Sequence, residues 1–381
     1  MGLVFAFFHF TVDFFSSFLQ ALSPYLIEVY RLTPRQVAMF VAATSLLSSL
    51  SQLLFAQTLQ KFPNQKLLLL VALSTLTLAP VLFALHISLA LSVLSFLLIF
   101  IANALFHPLG TSWAGTNNRQ SGVAFFISGG ITGGAVGPVF ITWLISTLGS
   151  FALIPFSLAV WLATLILFAS LAKRQKHLQI PTSQEGFNLK YFRLLFPIWL
   201  MVGLRTLFMS GLHTFTPIWV SNLGFKLVVG GSLLSGGVVL GILSNLTGNY
   251  LRHKIGNWWV NWVSFLGMGA FILLFATTRN PLLIFAFYFL ADAFGFLSMS
   301  SNVQEAHHLL PDHLPLASSV SMGFAWSFGY LLHLGYSSIF GNNPQFVLYS
   351  MGVASIVFAV IIPIFRKFFG KCSNHVQVSQ S

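Results

Sequence analysis

The amino-acid sequence predicts an all-α membrane protein in which twelve transmembrane helices form two six-helix halves related by pseudo-symmetry. Hydrophobic residues make up 56% of the chain and charged residues only 6%, whereas about a quarter of the residues of an average soluble domain are charged. Twelve apolar runs have the length of about twenty residues that spans a bilayer as a helix. A shift of 193 residues superposes Phe15 on Phe208 and Pro24 on Pro217, as a parallel repeat requires.

The twelve predicted spans are separated by short polar breaks. Their approximate bounds are 3–28, 37–59, 67–86, 87–106, 121–148, 151–172, 194–222, 228–251, 259–277, 281–301, 318–340 and 346–365. The third and fourth runs are divided at His86, because one helix over 67–106 would cross twice the bilayer thickness. We therefore predict an N-terminal six-helix half at 1–172, a cytoplasmic linker at 173–193, and a C-terminal six-helix half with a short cytoplasmic tail at 194–381.

The formal net charge of +12 indicates an orientation in the membrane rather than a nucleic-acid partner. If both termini are cytoplasmic, thirteen of the eighteen Lys and Arg residues lie on the inside, as the positive-inside rule requires. We predict a multi-pass membrane protein with both termini cytoplasmic. No basic leader with a cleavage site precedes the first span, so this span is predicted to be retained. The inside residues are Lys61, Lys66, Arg119, Lys173, Arg174, Lys176, Lys190, Arg193, Arg252, Lys254, Arg366, Lys367 and Lys371.

Four ionisable side chains, His9, Asp13, Arg205 and Asp292, lie near the middle depth of predicted spans. Charge at that depth costs at least about 2.5–3.5 kcal/mol per group, so such residues usually face a cavity and mark a proton or substrate path. His9 and Asp13 are spaced i, i+4 on one helix face, where the pair can carry one exchangeable proton. We predict that Asp13, His9 and Asp292 take part in proton coupling. The alternatives are a static ion pair between Asp13 and Arg205, and a helix–helix hydrogen bond for Asp292.

Three side chains are candidate substrate-binding residues: Arg205, His107 and His213. Arg205 would supply the positive charge of a central cavity, either to an anionic substrate or to Asp13. His107 is predicted at the cytoplasmic end of the fourth span, where a structural helix-terminal contact is the alternative. His213 lies in the outer half of the seventh span, and its alternative is a packing role.

Glycines recur four residues apart in the fifth span, which leaves two helix faces smooth enough for close backbone approach, and Pro138 bends the helix. A helix of this kind can slide against its neighbour in a transporter, although tight static packing is the alternative. The candidate conformational residues are Gly129, Gly130, Gly133, Gly134, Gly137 and Pro138.

Motifs in four spans match one known pattern. The first span carries HFTVD at 9–13 and LSP at 22–24, and the fourth ends in FHPLG at 106–110. The fifth holds SGGITGGAVGP at 128–138, and the seventh holds Arg205 and FTP at 215–217. Together these motifs resemble the fosmidomycin-resistance family of drug exporters, within the major facilitator superfamily. The resemblance covers nearly the whole chain. It implies alternating access through a cavity that the first, fourth, seventh and tenth spans line.

The chain departs from this family pattern in its loops. The superfamily signature G-x-x-x-D-R-x-G-R has Gln60 in place of its Asp in the first half and His253 in the second. The resemblance implies gating roles for Lys61 and Lys254, although a latch would need another partner because both acids are missing. Leu109 replaces the Glu of the family's F-H-P-E-G.

The chain contains no P-loop motif, so its energy must come from a gradient. We predict a monomeric secondary transporter in the lipid bilayer that exports a small anionic or amphiphilic compound of drug or phosphonate type by antiport with protons. The alternatives are uptake or exchange of a nutrient or phosphorylated metabolite, and a transport-dead receptor or scaffold. No enzymatic activity and no cofactor are predicted. No metal site is predicted either, because the spacing of His307, His308 and His313 near Glu305 and Asp312 matches no known site.

Overall fold

The computed structural model describes residues 2–115, 119–174 and 189–378, and almost all of them lie in helices. No strand occurs in these ranges, so the all-α prediction is confirmed. The helices before residue 175 are α1 (Gly2–Ser16), α2 (Phe18–Ala21), α3 (Ser23–Tyr30), α4 (Pro34–Thr58), α5 (Gln65–Ala84), α6 (Leu89–Gly115), α7 (Arg119–Leu148) and α8 (Leu153–Arg174). The later helices are α9 (Leu189–Asn222), α10 (Leu227–Ile255), α11 (Asn257–Thr277), α12 (Pro281–Leu297), α13 (Met299–Leu309), α14 (Leu314–Ser319), α15 (Ala325–Phe340) and α16 (Pro344–Val378).

Within the described ranges, eleven helical stretches are long and apolar enough to cross a membrane. They coincide with eleven of the twelve predicted spans. The other predicted span, 318–340, is an interrupted helix in which a π turn at Val320–Phe324 joins α14 to α15. This interruption leaves no single long α-helix there, and it has no signature in the hydrophobic pattern.

Two predicted span ends differ from the observed helices. The fourth span was predicted to end at Phe106, but α6 continues through Pro108 to Gly115. A proline is tolerated in a membrane helix because neighbouring groups can satisfy the carbonyl that it frees. The first span was predicted as one helix, whereas the structure divides it after Ser16 and again at Leu22. The Ser17 hydroxyl donates to the Phe14 carbonyl oxygen, 2.7 Å away, at the first of these breaks.

The described residues form two compact units. Unit 1 comprises those of Met1–Leu32, Ala43–Ser183 and Val220–Ser235, and unit 2 those of Thr33–Ala42, Gln184–Trp219 and Gly236–Ser381. The first residues of α4 therefore belong to unit 2, and those of α10 to unit 1. Most of the predicted linker 173–193, namely 175–188, lies outside the described residues.

Unit 1 is built around the contact of α1 with α7, and a second layer of α5, α6 and α8 packs beside it. Phenylalanines fill this core, and Phe8, Phe15 and Phe18 are almost completely buried. At the junction of α5 and α6, the Tyr25 hydroxyl lies 3.0 Å from Nε2 of His86. Burial among aromatic rings lowers the pKa of the His86 imidazole.

Unit 2 centres on α11, which packs against α12 and α16. A buried network of asparagine amides holds α11 to α13: Asn302 Oδ1 accepts from Asn257 at 2.9 Å and from Asn261 at 2.8 Å. Interhelical amide hydrogen bonds of this kind stabilise membrane helices because lipid offers the amides no other partner. The network fixes α13 directly behind the end of α12.

Candidate functional sites

The first candidate site is a triad on α1 and α6 of unit 1. His9 and Asp13 lie one turn apart on α1, with His9 Nε2 at 3.2 Å from Asp13 Oδ2. His107 of α6 completes the group: its Nε2 lies 3.2 Å from His9 Nε2 and 3.7 Å from Asp13 Oδ1. Because α6 continues to Gly115, His107 lies inside a helix and not at its end, contrary to the sequence prediction. We call His9, Asp13 and His107 the α1 triad.

Backbone carbonyl oxygens orient both imidazoles of the triad. His9 Nδ1 lies 2.8 Å from the Phe126 oxygen, and His107 Nδ1 lies 2.9 Å from the Asn103 oxygen. A carbonyl oxygen can only accept, so each Nδ1 carries the ring proton and donates it. The His9 ring also stacks on Phe126, with ring centroids 4.0 Å apart. Both rings are thus fixed with Nε2 directed towards Asp13.

The glycine face of α7 lies directly against α1. Added Cβ atoms at Gly129 and Gly133 would meet the backbone of Ala6 and Phe10, and one at Gly137 would meet Ser17 and the Phe14 backbone. A Cβ at Gly130 would lie 2.5 Å from His9 Nε2 and 2.6 Å from Asp13 Oδ2. Gly134, by contrast, has open space beyond its Cα. The predicted glycine series therefore sets how closely α7 approaches the triad, and Pro138 lies further along the same helix.

The second candidate site is an acid–histidine pair in unit 2, between α9 and α12. Asp292 is fully buried, and its Oδ1 lies 2.6 Å from His213 Nε2. Within the described part of the chain, Asp292 Oδ2 has no hydrogen-bond partner. The backbone of Gly237 closes that side of the carboxylate, since a Cβ there would meet Oδ2 and would lie 2.9 Å from Tyr288 Cε1. We call His213 and Asp292 the α9–α12 pair.

Arg205 lies on α9, the helix that carries His213, and it contacts α12, the helix that carries Asp292. Its guanidinium is buried, and Nη1 donates to the Gly295 carbonyl oxygen of α12 over a long 3.4 Å. The Nε–H has no partner among the described residues. Arg205 lines a cavity of about 280 Å³ inside unit 2, the Arg205 cavity. Its polar lining comes from Asn245, Ser300, Gln304, His307, Ser321 and the Trp326 indole.

The predicted gating residues Lys61 and Lys254 are both exposed. Lys61 ends a short 3₁₀ turn, and the Lys254 ammonium lies 4.6 Å from the ring centroid of Tyr250. An ion pair two residues before Lys254 was not anticipated from the sequence. Arg252 Nη1 of α10 lies 3.0 Å from Glu305 Oε2 of α13, and Arg252 Nη2 lies 3.3 Å from Gln304 Oε1. This pair joins two helix ends beside the position where the loop signature has lost its acid.

Sequence reasoning missed three other contacts: those of His107 with His9, of His213 with Asp292, and of His333 with Ser210. The last is a buried pair in which His333 Nδ1 lies 2.7 Å from the Ser210 hydroxyl. For His9, His213 and His333 the available signal was a histidine inside a predicted span, whereas His107 was predicted at a span end. Only the depth of the residue was readable from the sequence, and not its partner.

The profile described as Major Facilitator Superfamily matches residues 4–333. The chain belongs to the major facilitator superfamily. It is therefore a non-enzymatic membrane transporter of the secondary type. No curated protein matches the chain.

Solved structures support the same fold. The peptide transporter POT in complex with sulfate is 12% identical, with 97% of this chain and 95% of that chain covered and a TM-score of 0.79. The nucleoside transporter NupG is 14% identical, with 95% and 98% covered and a TM-score of 0.74. A bacterial homologue of the human lysosomal transporter Spinster is 12% identical, with 98% and 96% covered and a TM-score of 0.69. Identities this low establish the fold alone.

Proposed function

We propose that this transporter exports a small anionic or amphiphilic compound, of the drug or phosphonate type, in exchange for protons. Transport would follow alternating access of the two halves 1–172 and 194–381 about the linker 173–193, in a bacterial inner membrane with both termini cytoplasmic. The observation that carries the proposal is a buried guanidinium of α9 that faces a cavity, on the same helix as the histidine of a buried acid–histidine pair. Helix α9 thus contributes Arg205 to the candidate anion site and His213 to the candidate proton site.

Arg205 supports the anionic character of the substrate. A guanidinium without a counter-charge is costly inside a membrane, and an incoming anion offsets that cost. Carboxylates and phosphonates match the planar fork of a guanidinium with two parallel hydrogen bonds. The cavity wall combines amide and hydroxyl groups with apolar surface from Val202, Met299 and Met322, which suits an amphiphile. The volume of about 280 Å³ fits a small polar head rather than a large drug.

The α9–α12 pair supports proton coupling. Asp292 Oδ1 is bonded to His213, whose side chain is 18% exposed, while Oδ2 is enclosed beside Gly237 and Tyr288. A short acid–imidazole contact with one partly exposed member can take up and release one proton. The coupling roles of His9 and Asp13 and the substrate role of His107 remain predictions from the sequence. The resemblance to the fosmidomycin-resistance family supports export as the direction.

Ligand-induced stabilisation of purified protein tests the anion site. We expect fosmidomycin or another small phosphonate to raise the melting temperature of the wild type, because a ligand that binds the folded state stabilises it. Arg205→Ala should stay folded and lose this shift, whereas Arg205→Lys should keep part of it if the site needs only charge. Arg279→Ala removes the same charge from an exposed position and should behave as wild type.

Two outcomes would contradict the proposal. One is stabilisation by lipophilic cations but by no phosphonate, carboxylate or sugar phosphate. The other is an unchanged phosphonate shift in Arg205→Ala. Stabilisation by glucose 6-phosphate alone would favour the alternative substrate class, a phosphorylated metabolite.

A further inference from the structure

When both imidazoles of the α1 triad are neutral, three hydrogen-bond acceptors face one another. The Nδ1 protons of His9 and His107 are both committed to backbone carbonyl oxygens, at 2.8 and 2.9 Å. Each neutral ring therefore presents an Nε2 lone pair, and an ionised Asp13 presents only acceptors. The two Nε2 atoms are 3.2 Å apart, so their lone pairs repel unless a cation lies between them.

The spacing of these atoms suits a metal ion. Asp13 Oδ2 lies 3.2 Å from His9 Nε2, and Asp13 Oδ1 lies 3.7 Å from His107 Nε2. With metal–ligand bonds of about 2.0–2.2 Å, neighbouring ligand atoms of a tetrahedral site are separated by about 3.3–3.6 Å. A proton on one Nε2 joins that atom to a single acceptor, whereas a metal ion receives three lone pairs at once.

We propose that His9, Asp13 and His107 form a binding site for a divalent transition-metal ion of the zinc type. Two imidazoles and one carboxylate suit zinc and its neighbours, whereas Mg²⁺ and Ca²⁺ prefer all-oxygen sites. Histidines that bind metals usually donate their other N–H to a carbonyl or carboxylate, as both histidines of the triad do. This ion site lies in unit 1 and is independent of the substrate and proton roles proposed for α9 and α12.

The site has room for a further ligand. The side chains of Asp13 and His107 are 29% and 24% exposed, so a water molecule or a solute can take the fourth position. Gly130 of α7 lies against the triad, and any side chain there would occupy the space next to His9 Nε2 and Asp13 Oδ2. Three protein ligands with one open position distinguish exchangeable or reactive zinc sites from closed structural ones.

The histidine-rich segment at 307–313 does not bring its side chains together into a metal site of this kind. Among the described residues, the α1 triad is the group of His, Cys, Asp or Glu side chains that brings three ligand atoms within 4.8 Å of one another. His307 is bonded to Ser318 at 2.7 Å, and the His313 ring packs on Tyr191. His308 is exposed, which makes it a matched control for loss of a histidine.

Metal titration of the purified protein tests the proposal. The protein should carry a purification tag free of histidine and be stripped with EDTA before calorimetric titration with ZnSO₄. We expect one equivalent to bind, and His107→Gln and His9→Gln to lower the affinity by on the order of tenfold or more. His308→Gln should bind zinc as the wild type does. Excess MgCl₂ should not compete.

Cobalt absorption provides a second measurement that needs only the wild type. Co²⁺ bound to the triad should give the intense visible bands of four- or five-coordinate cobalt, and Zn²⁺ should abolish them. The proposal is overturned if no stoichiometric zinc binding occurs, if His107→Gln binds as the wild type does, or if Co²⁺ shows only the weak spectrum of an octahedral hydrated ion. In any of those cases the triad holds at most a proton.

Discussion

At the scale of single residues, Asp292 has an unusual environment. Its carboxylate is fully buried, and it makes one short contact, to His213, while its second oxygen has no partner among the described residues. A lone buried charge is costly, so a protonated His213 stabilises ionised Asp292, whereas the neutral acid needs no counter-charge. The protonation state of the pair is therefore tied to the contact between α9 and α12.

Asp292→Asn should abolish coupling to a pH gradient while leaving the protein folded. Asparagine has nearly the same volume, and its carbonyl oxygen can still accept from His213, but it cannot take up a proton. We expect solute flux in proteoliposomes to lose its dependence on an imposed pH gradient. Asp312→Asn, at an exposed acid, is the control. Gradient-driven flux at the wild-type level in Asp292→Asn would remove Asp292 from the mechanism.

At the scale of helices, the α1–α7 contact depends on the absence of side chains. Three glycines of α7 face the backbone of α1, at Ala6, Phe10 and Phe14. In lipid the hydrophobic effect does not drive helices together, so close packing of this kind supplies the association. Gly134 lies on the same helix and faces open space. The two kinds of glycine on one helix allow a direct comparison.

Gly133→Ala should destabilise the protein, and Gly134→Ala should not. A Cβ at position 133 would meet the Phe10 carbonyl oxygen and lie 2.9 Å from its carbon, and backbone atoms of a packed helix cannot move aside easily. Overpacking of this kind typically costs about 1–3 kcal/mol. At position 134, alanine should raise the stability slightly because it favours a helix more than glycine does. Melting temperatures in detergent would measure both changes, and equal values would show that α7 adjusts freely.

At the scale of the whole molecule, the sequence predicted the fold class because hydrophobicity and length decide whether a segment spans a bilayer. It also predicted the contact of His9 with Asp13, because i, i+4 spacing alone brings two side chains together on a helix. The partners from other helices were not predictable. His107 is 98 residues from His9, and Asp292 is 79 residues from His213, and no local rule pairs residues across such separations. Arg252 and Glu305 were missed for the same reason.

The orientation of the chain is a prediction that labelling can test. Cys372 is the only cysteine, so Cys372→Ser gives a background free of thiols. On intact cells, a membrane-impermeant maleimide should label Arg279→Cys, predicted outside, and should not label Lys61→Cys, predicted inside; both positions are exposed. A permeant maleimide should label both and serves as the control. The reverse pattern would mean that the termini face outwards.

The π turn at Val320–Phe324 changes the directions in which the side chains of α15 point around the helix axis. A π turn accommodates one residue more than a regular helical turn, and each residue of an α-helix advances the direction of its side chain by about 100°. Ser321 and Met322 of this turn line the Arg205 cavity, whereas the buried polar residues His333 and Ser337 follow on α15. Removing one residue from the turn would regularise the helix and rotate those side chains by about a quarter of a circle. The additional residue therefore sets the angle between the cavity wall and the polar face of α15.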